Sequence, residues 1–180
     1  MAAPLKPEDA LSSSNPLDAG KAARGDSGRS IVDRLTGKGY QVVERNGSAY
    51  ALLEGPLSWR QARREARRLG GDLVTINSPG ENDFITRRFE PLAADDCGLW
   101  IGLNALRKSG RFEWSDGSES NYRHWVKAGV PGYRTGLPFD DPAKPYVHIY
   151  FNQAARGFWK NADNTYHDVM ISGGIAEFSL

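Results

Sequence analysis

The rhythm of apolar and polar residues divides the chain into an aperiodic start, a helical middle and a strand-rich remainder. Residues 1–30 mix Ala, Ser, Pro, Gly and isolated charges with neither a 3.6-residue nor a two-residue repeat, so they are expected to form a tail or linker. From residue 40 the texture becomes strand-like. Residues 40–45 and 48–53 are β-prone runs flanking Asn46-Gly47, a dipeptide suited to a two-residue hairpin because both positions tolerate positive φ. Residues 57–71 then read as a helix: Ser58 and Gln61 have capping-box spacing, Trp59, Ala62, Ala66 and Leu69 recur on one face, and Gly70-Gly71 supplies the stop.

After a short apolar strand at residues 73–76, Ser78-Pro79-Gly80-Glu81 repeats the grammar of a helix start, with proline at the first helical position. This second helix turns Phe84, Ile85 and Phe89 inward and is expected to end before Pro91, which disfavours helical backbone at the residue preceding it. Beyond residue 98 strands and turns prevail, at 99–103, at 112–114 before the Asp116-Gly117 turn, and at 146–151, 157–159 and 174–180. Residues 125–145, interrupted by prolines and glycines, form a connection too long to be passive in a compact domain, and such loops commonly carry function. The expected class is α+β: two helices, antiparallel sheets, a long loop region and an N-terminal tail. Residues 1–38 are assigned to the tail and residues 39–180 to the domain.

A chain of 180 residues has room for one core plus an appendage, and 39% hydrophobic with 11% aromatic residues supplies the bulk to fill it. A net charge of +1 argues against a general electrostatic affinity for nucleic acid, which needs a large basic excess. The first residues lack the basic and apolar segments of an export signal, and no stretch suits a membrane span. The expectation is a product of a reducing compartment, without membrane insertion, that can be incorporated in a particle or surface assembly. Cys97 is the single cysteine, so neither an internal disulfide nor a CxxC metal pair can form. Cys97 with His124, His148 or His167 is the nucleophile–base combination to weigh, and Asp95 and Asp96 beside the thiol argue against it by disfavouring the thiolate. No histidine pair has zinc-site spacing. No catalytic residue, metal or cofactor is expected.

Several blocks in order resemble one family. Ser58-Trp59-Arg60-Gln61-Ala62, the run from Gly70 to Ser78, and Glu81-Asn82-Asp83-Phe84-Ile85 are similar to the two-helix half of C-type-lectin-like domains; Trp100-Ile101-Gly102-Leu103 resembles that family's WIGL strand, and the run from Gly110 to Ser118, followed by Tyr122-Arg123-His124-Trp125, resembles the segment after it. The resemblance implies the fold and a role in binding rather than catalysis. It also places Ala66 and Ala176 where the family usually has the two half-cystines joining its first helix to its last strand, which implies a disulfide-free variant.

Sugar binding in the family commonly runs through calcium held by a Glu-Pro-Asn or Gln-Pro-Asp triplet in the long loop and a Trp-Asn-Asp triplet on a neighbouring strand. The resemblance aligns these with Val130-Pro131-Gly132 and Trp159-Lys160-Asn161. The first offers no side-chain oxygen and the second places an ammonium where a ligand would sit, whereas calcium takes six to eight oxygens. Candidate ligand-binding residues are therefore those of the long loop and its neighbouring strand: Tyr133, Phe139, Asp140, Asp141, Tyr146, Lys160, Asn161 and Asp163. Aromatics at loop positions offer a rigid contact surface. Two functions fit: a non-catalytic protein-binding module, as subunit or surface-display element of a larger assembly, and a calcium-independent carbohydrate-binding domain. The lost calcium triplets favour the first.

Overall fold

The computed structural model describes residues 29–93, 97–108, 110–165 and 171–180. Residues 29–37 form a helix, α1, whose Leu35 is fully buried in the same cluster as Trp59, Ala66 and Leu69. From this helix the Arg34 guanidinium donates to the Leu69 carbonyl at 2.8 Å, satisfying an acceptor left open at a helix end. Among the described residues α1 thus packs against the domain that was expected to begin at residue 39. A mostly polar run with few apolar positions offered too little periodicity to be read as a helix. Residues 1–28 of the expected tail lie outside the described residues.

The remaining elements follow the sequence pattern closely: β1 (Val42–Arg45), β2 (Ser48–Glu54), α2 (Trp59–Leu69), β3 (Asp72–Leu73), α3 (Pro79–Phe89), β4 (Gly98–Asn104), β5 (Glu113–Trp114), β6 (Tyr146–Tyr150), β7 (Trp159–Ala162) and β8 (Ile171–Ser179). Asn46 and Gly47 adopt φ of 49° and 84°, the backbone that a two-residue hairpin demands. Ser58 closes the capping box with Gln61, and Gly70 ends α2 in the left-handed region at φ 99°. Ser78 caps α3, which ends at Phe89 and passes into a 3₁₀ turn at Glu90–Leu92.

The strands form one sheet in the order β1-β2-β8-β4-β6-β7, with β3 on β8 and β5 on β4. Every pairing is antiparallel except that of β4 with β8, so the expected antiparallel sheets are one mixed sheet, and three helices stand where two were expected. The last strand returns to the middle of the sheet, between the hairpin and the WIGL strand. Helix α2 lies on β8: a side chain added at Gly174 would come 3.1 Å from the Ala62 methyl. The four residues from Ala62 to Ala66 advance about 6 Å and the two from Gly174 to Ala176 about 6.7 Å, so Ala66 is expected to lie over Ala176. Both alanines are fully buried in the one core cluster.

Four tryptophans fill the layers around the sheet, and each places its ring N–H on an acceptor. Trp59 donates to the Ile101 carbonyl at 2.8 Å, Trp100 to Leu57 at 2.6 Å, Trp114 to Ser120 at 3.1 Å and Trp159 to Asn82 Oδ1 at 2.8 Å. Large apolar bodies are thus buried without orphaning their polar handles. This rigid base holds β6, β7 and the long loop that leads into β6.

Candidate functional site

Alternation along β7 sends Lys160 to one side and Asn161 to the other. Asn161 is completely buried and turned into the loop. Its Oδ1 accepts the Phe139 N–H at 2.7 Å, while its Nδ2 donates to the carbonyls of Phe139 at 2.9 Å and Lys144 at 3.0 Å. Two backbone bonds secure the other end of the loop: Val126 N–H to the Trp159 carbonyl at 3.1 Å and Leu137 N–H to the Val126 carbonyl at 2.9 Å. The proline triplet that faces Trp159-Lys160-Asn161 is therefore Leu137-Pro138-Phe139, and the alignment on Val130-Pro131-Gly132 is corrected. Val130 belongs to a turn of its own, its carbonyl accepting the Tyr133 N–H at 2.8 Å.

On the opposite side of β7, Lys160 Nζ lies 3.3 Å from the Tyr150 hydroxyl, 5.8 Å from the Tyr133 ring centre and 5.7 Å from that of Tyr150. Burial, with Lys144 adding to it, lowers the Lys160 pKa. Directly across the strand pair stands His148, fully buried, its ring 4.5 Å from that of Tyr150 and 5.8 Å from that of Trp100. Among the described residues neither imidazole nitrogen makes a hydrogen bond of good geometry, the Ile149 backbone being the polar group that favours its protonated form. Burial first, and the Lys160 charge second, push its pKa down to about 3, so the ring is neutral and offers Lys160 no countercharge. Burial likewise raises the Tyr150 phenol.

A third group borders a shallow cleft of about 260 Å³ between the 105–112 segment and the long loop, lined by Leu106, Phe112, Phe139, Asp141 and Lys144 among others. Leu106 and Phe139 are 42% and 36% exposed. Lys144 Nζ sits 5.2 Å from the Phe139 ring centre and 3.7 Å from Asp141 Oδ2.

Of the residues expected at the site, Phe139 and Asp141 meet at this cleft, Tyr133 joins Lys160, and Asn161 ties loop to strand. Asp140 lies on the surface near Gly110, and Asp163 accepts from the Thr165 N–H at 2.7 Å and its hydroxyl at 2.5 Å. Tyr146 is corrected from loop contact to core: it is 4% exposed, packs 5.1 Å from the Trp59 ring, and accepts from Arg60 Nε at 2.7 Å. Tyr150, Lys144 and Leu106 were not among the expected site residues, and His148 was weighed only as a base beside Cys97. The alternation Tyr146-x-His148-x-Tyr150 signalled a shared face, but only pairing with β7 shows that Lys160 belongs to it. Cys97 is buried, and His167 with Asp95 and Asp96 lies outside the described residues.

Calcium does not fit the junction of loop and strand. Leu137 and Phe139 bring no side-chain oxygen, Lys160 brings a cation, and the Asn161 oxygen already accepts a backbone N–H. Among the described residues no three His, Cys, Asp or Glu side chains stand together as a metal site.

The comparisons with known proteins agree with the fold. The family model for the lectin C-type domain matches residues 55–137. The chain is similar to the galactose-specific lectin nattectin of Thalassophryne nattereri, 31% identical over 136 residues that cover 75% of this chain and 79% of that protein. It is also similar to the human C-type mannose receptor 2, 42% identical over 91 residues, which are 51% of this chain but only 6% of the receptor. Among solved structures, the C-type carbohydrate-recognition domain of cow CD23, determined in the presence of an oligosaccharide, superposes with a TM-score of 0.61 at 28% identity, covering 77% of this chain and 93% of that one. These relatives are lectin-type binding domains, and the nattectin match runs through most of both chains. The chain belongs to the C-type lectin domain family.

Proposed function

We propose that the chain is a non-catalytic recognition module that binds a protein partner through its long-loop face without calcium, as a subunit or display element of a larger assembly. The observation that carries this reading is the pair of exposed apolar side chains, Leu106 and Phe139, flanking a cleft whose rim holds Asp141 and Lys144. Apolar anchors set in a charged rim are the usual composition of a protein-binding hot spot. The closed Asn161–Phe139 junction supports it further, because it removes the ion through which sugar binding in the family commonly runs.

A photo-crosslinking amino acid at position 139, compared with one at exposed position 67, tests the reading in extracts containing chelator. Protein adducts at 139 and not at 67 support it. Their absence, together with chelator-resistant binding on a glycan array that Phe139→Ala abolishes, would favour the second reading, a calcium-independent sugar-binding domain. That alternative draws on the names of the relatives and on the exposed Phe139 ring, which could stack on a sugar.

A further inference from the structure

Lys160 is a half-buried cation with no carboxylate partner. Its contacts are the Tyr150 hydroxyl at 3.3 Å and the faces of Tyr133 and Tyr150. Among the described residues the ion pairs involve Arg63, Arg68, Arg107, Arg111, Lys144 and Arg156, and none of them reaches this lysine. Its cross-strand neighbour His148 is neutral, and the charge that bears on Lys160 among the described residues is a second cation, Lys144. Burying a charge without its opposite is costly, and two aromatic faces offset only part of that cost. Two further cations of the same loop, Lys127 and Arg134, both exposed, enter no ion pair among the described residues. Lys160 thus stands in a partly buried pocket walled by the phenols of Tyr133 and Tyr150, with no described carboxylate to neutralise it.

We propose that this pocket receives a carboxylate from an acidic peptide segment of the protein partner, with Lys160 as its counter-ion and the hydroxyls of Tyr133 and Tyr150 as neighbouring donors. An anion seated there gains a charge-assisted hydrogen bond in a partly desolvated setting and completes a pairing that the isolated chain leaves open. The aromatic walls hold the ammonium in place, so little side-chain freedom is lost on binding. A peptide is the favoured source because the reading on which this rests takes a protein partner, and the apolar Leu106–Phe139 cleft, across β7 from Lys160, belongs to the same loop and suits the side chains of such a segment. The inference rests on the protein-binding reading and names the chemistry of its partner.

The test uses the full chain and three probes: a blocked hexaglutamate peptide, the matching hexaglutamine peptide, and a hexuronate oligosaccharide. Binding is followed by titration calorimetry at low salt. The account expects hexaglutamate to bind and hexaglutamine not to; Lys160→Met should weaken the acidic peptide about tenfold or more, while Lys160→Arg retains most of the affinity. Tyr133→Phe, which removes only one hydroxyl, serves as a second variant should Lys160→Met perturb folding, and a smaller loss is expected. Unchanged binding in both Lys160→Met and Tyr133→Phe would overturn the site. A Lys160-dependent response to the hexuronate alone would overturn the peptide assignment and favour the sugar reading. If no probe binds but crosslinking at position 139 still captures a protein, the carboxylate pocket is wrong and the broader protein-binding reading stands.

Discussion

Asn161 and Phe139 hold one another through two hydrogen bonds, the Phe139 N–H on Asn161 Oδ1 at 2.7 Å and the Asn161 amide on the Phe139 carbonyl at 2.9 Å. A side chain that the family resemblance associates with a calcium triplet here satisfies loop backbone directly. Truncating it as Asn161→Ala would leave the Phe139 N–H and the carbonyls of Phe139 and Lys144 without their partner, at a cost of roughly 2–4 kcal/mol. The expected outcome is a lower melting temperature together with faster proteolysis within residues 126–145 than in the core. Unchanged loop proteolysis would show that the loop is anchored elsewhere.

Helix α1 gives a second prediction. Leu35 is fully buried, so Leu35→Ala should cost about 2–5 kcal/mol, and a chain starting at residue 39 should lose at least as much by also losing the Arg34 contact to Leu69. A chain starting at residue 29 should retain the melting temperature of the full chain. Equal denaturation midpoints for the chains starting at 29 and at 39 would contradict the packing described.

The third prediction concerns Ala66 and Ala176, both fully buried in the cluster where helix α2 packs on β8. The double change Ala66→Cys and Ala176→Cys should oxidise readily and stabilise the protein, with a ceiling of about 4.7 kcal/mol for so long a loop and less if the bridge is strained. Either single cysteine should give no gain. Failure of the double variant to oxidise in the folded state would show that the two Cβ atoms do not face each other.

These cases also show what could be read from the residues alone. Both capped helices, the Asn46-Gly47 hairpin and the WIGL strand were legible because their signals are local: a capping residue, a positive-φ pair, a periodic apolar face. The parallel pairing of β4 with β8 was not, since it joins residues some seventy positions apart and leaves no mark in either strand. The same applies to the site. Two prolines, Pro131 and Pro138, sit in similar loop contexts, and only the hydrogen bonds to Asn161 decide which triplet meets the strand. Tyr146 adjoins the loop in sequence but begins β6 facing inward, so adjacency misled where alternation would have served.

His148 makes acid sensitivity predictable. Its folded pKa of about 3 lies below the unfolded value near 6.5, so between those limits the unfolded chain binds more protons and stability falls as pH drops. Half-buried His124 shifts in the same direction, and partly buried Glu177, its pKa raised by desolvation, in the opposite one. Comparing the wild type with His148→Phe isolates the histidine. The variant should lose much of the decline between pH 6.5 and 4.5, a difference on the order of 2 kcal/mol at the lower end. Parallel stability curves for the two proteins across that range would show that His148 is not held neutral.

The account's central claim is that side-chain hydrogen bonds, and not calcium, set the long loop for recognition. The most direct measurement is the melting temperature of the full chain in chelator and in a series of calcium concentrations up to the millimolar range. The account predicts one melting temperature throughout. A rise that grows with calcium would contradict it, because an ion bound only by the native state must stabilise that state by mass action.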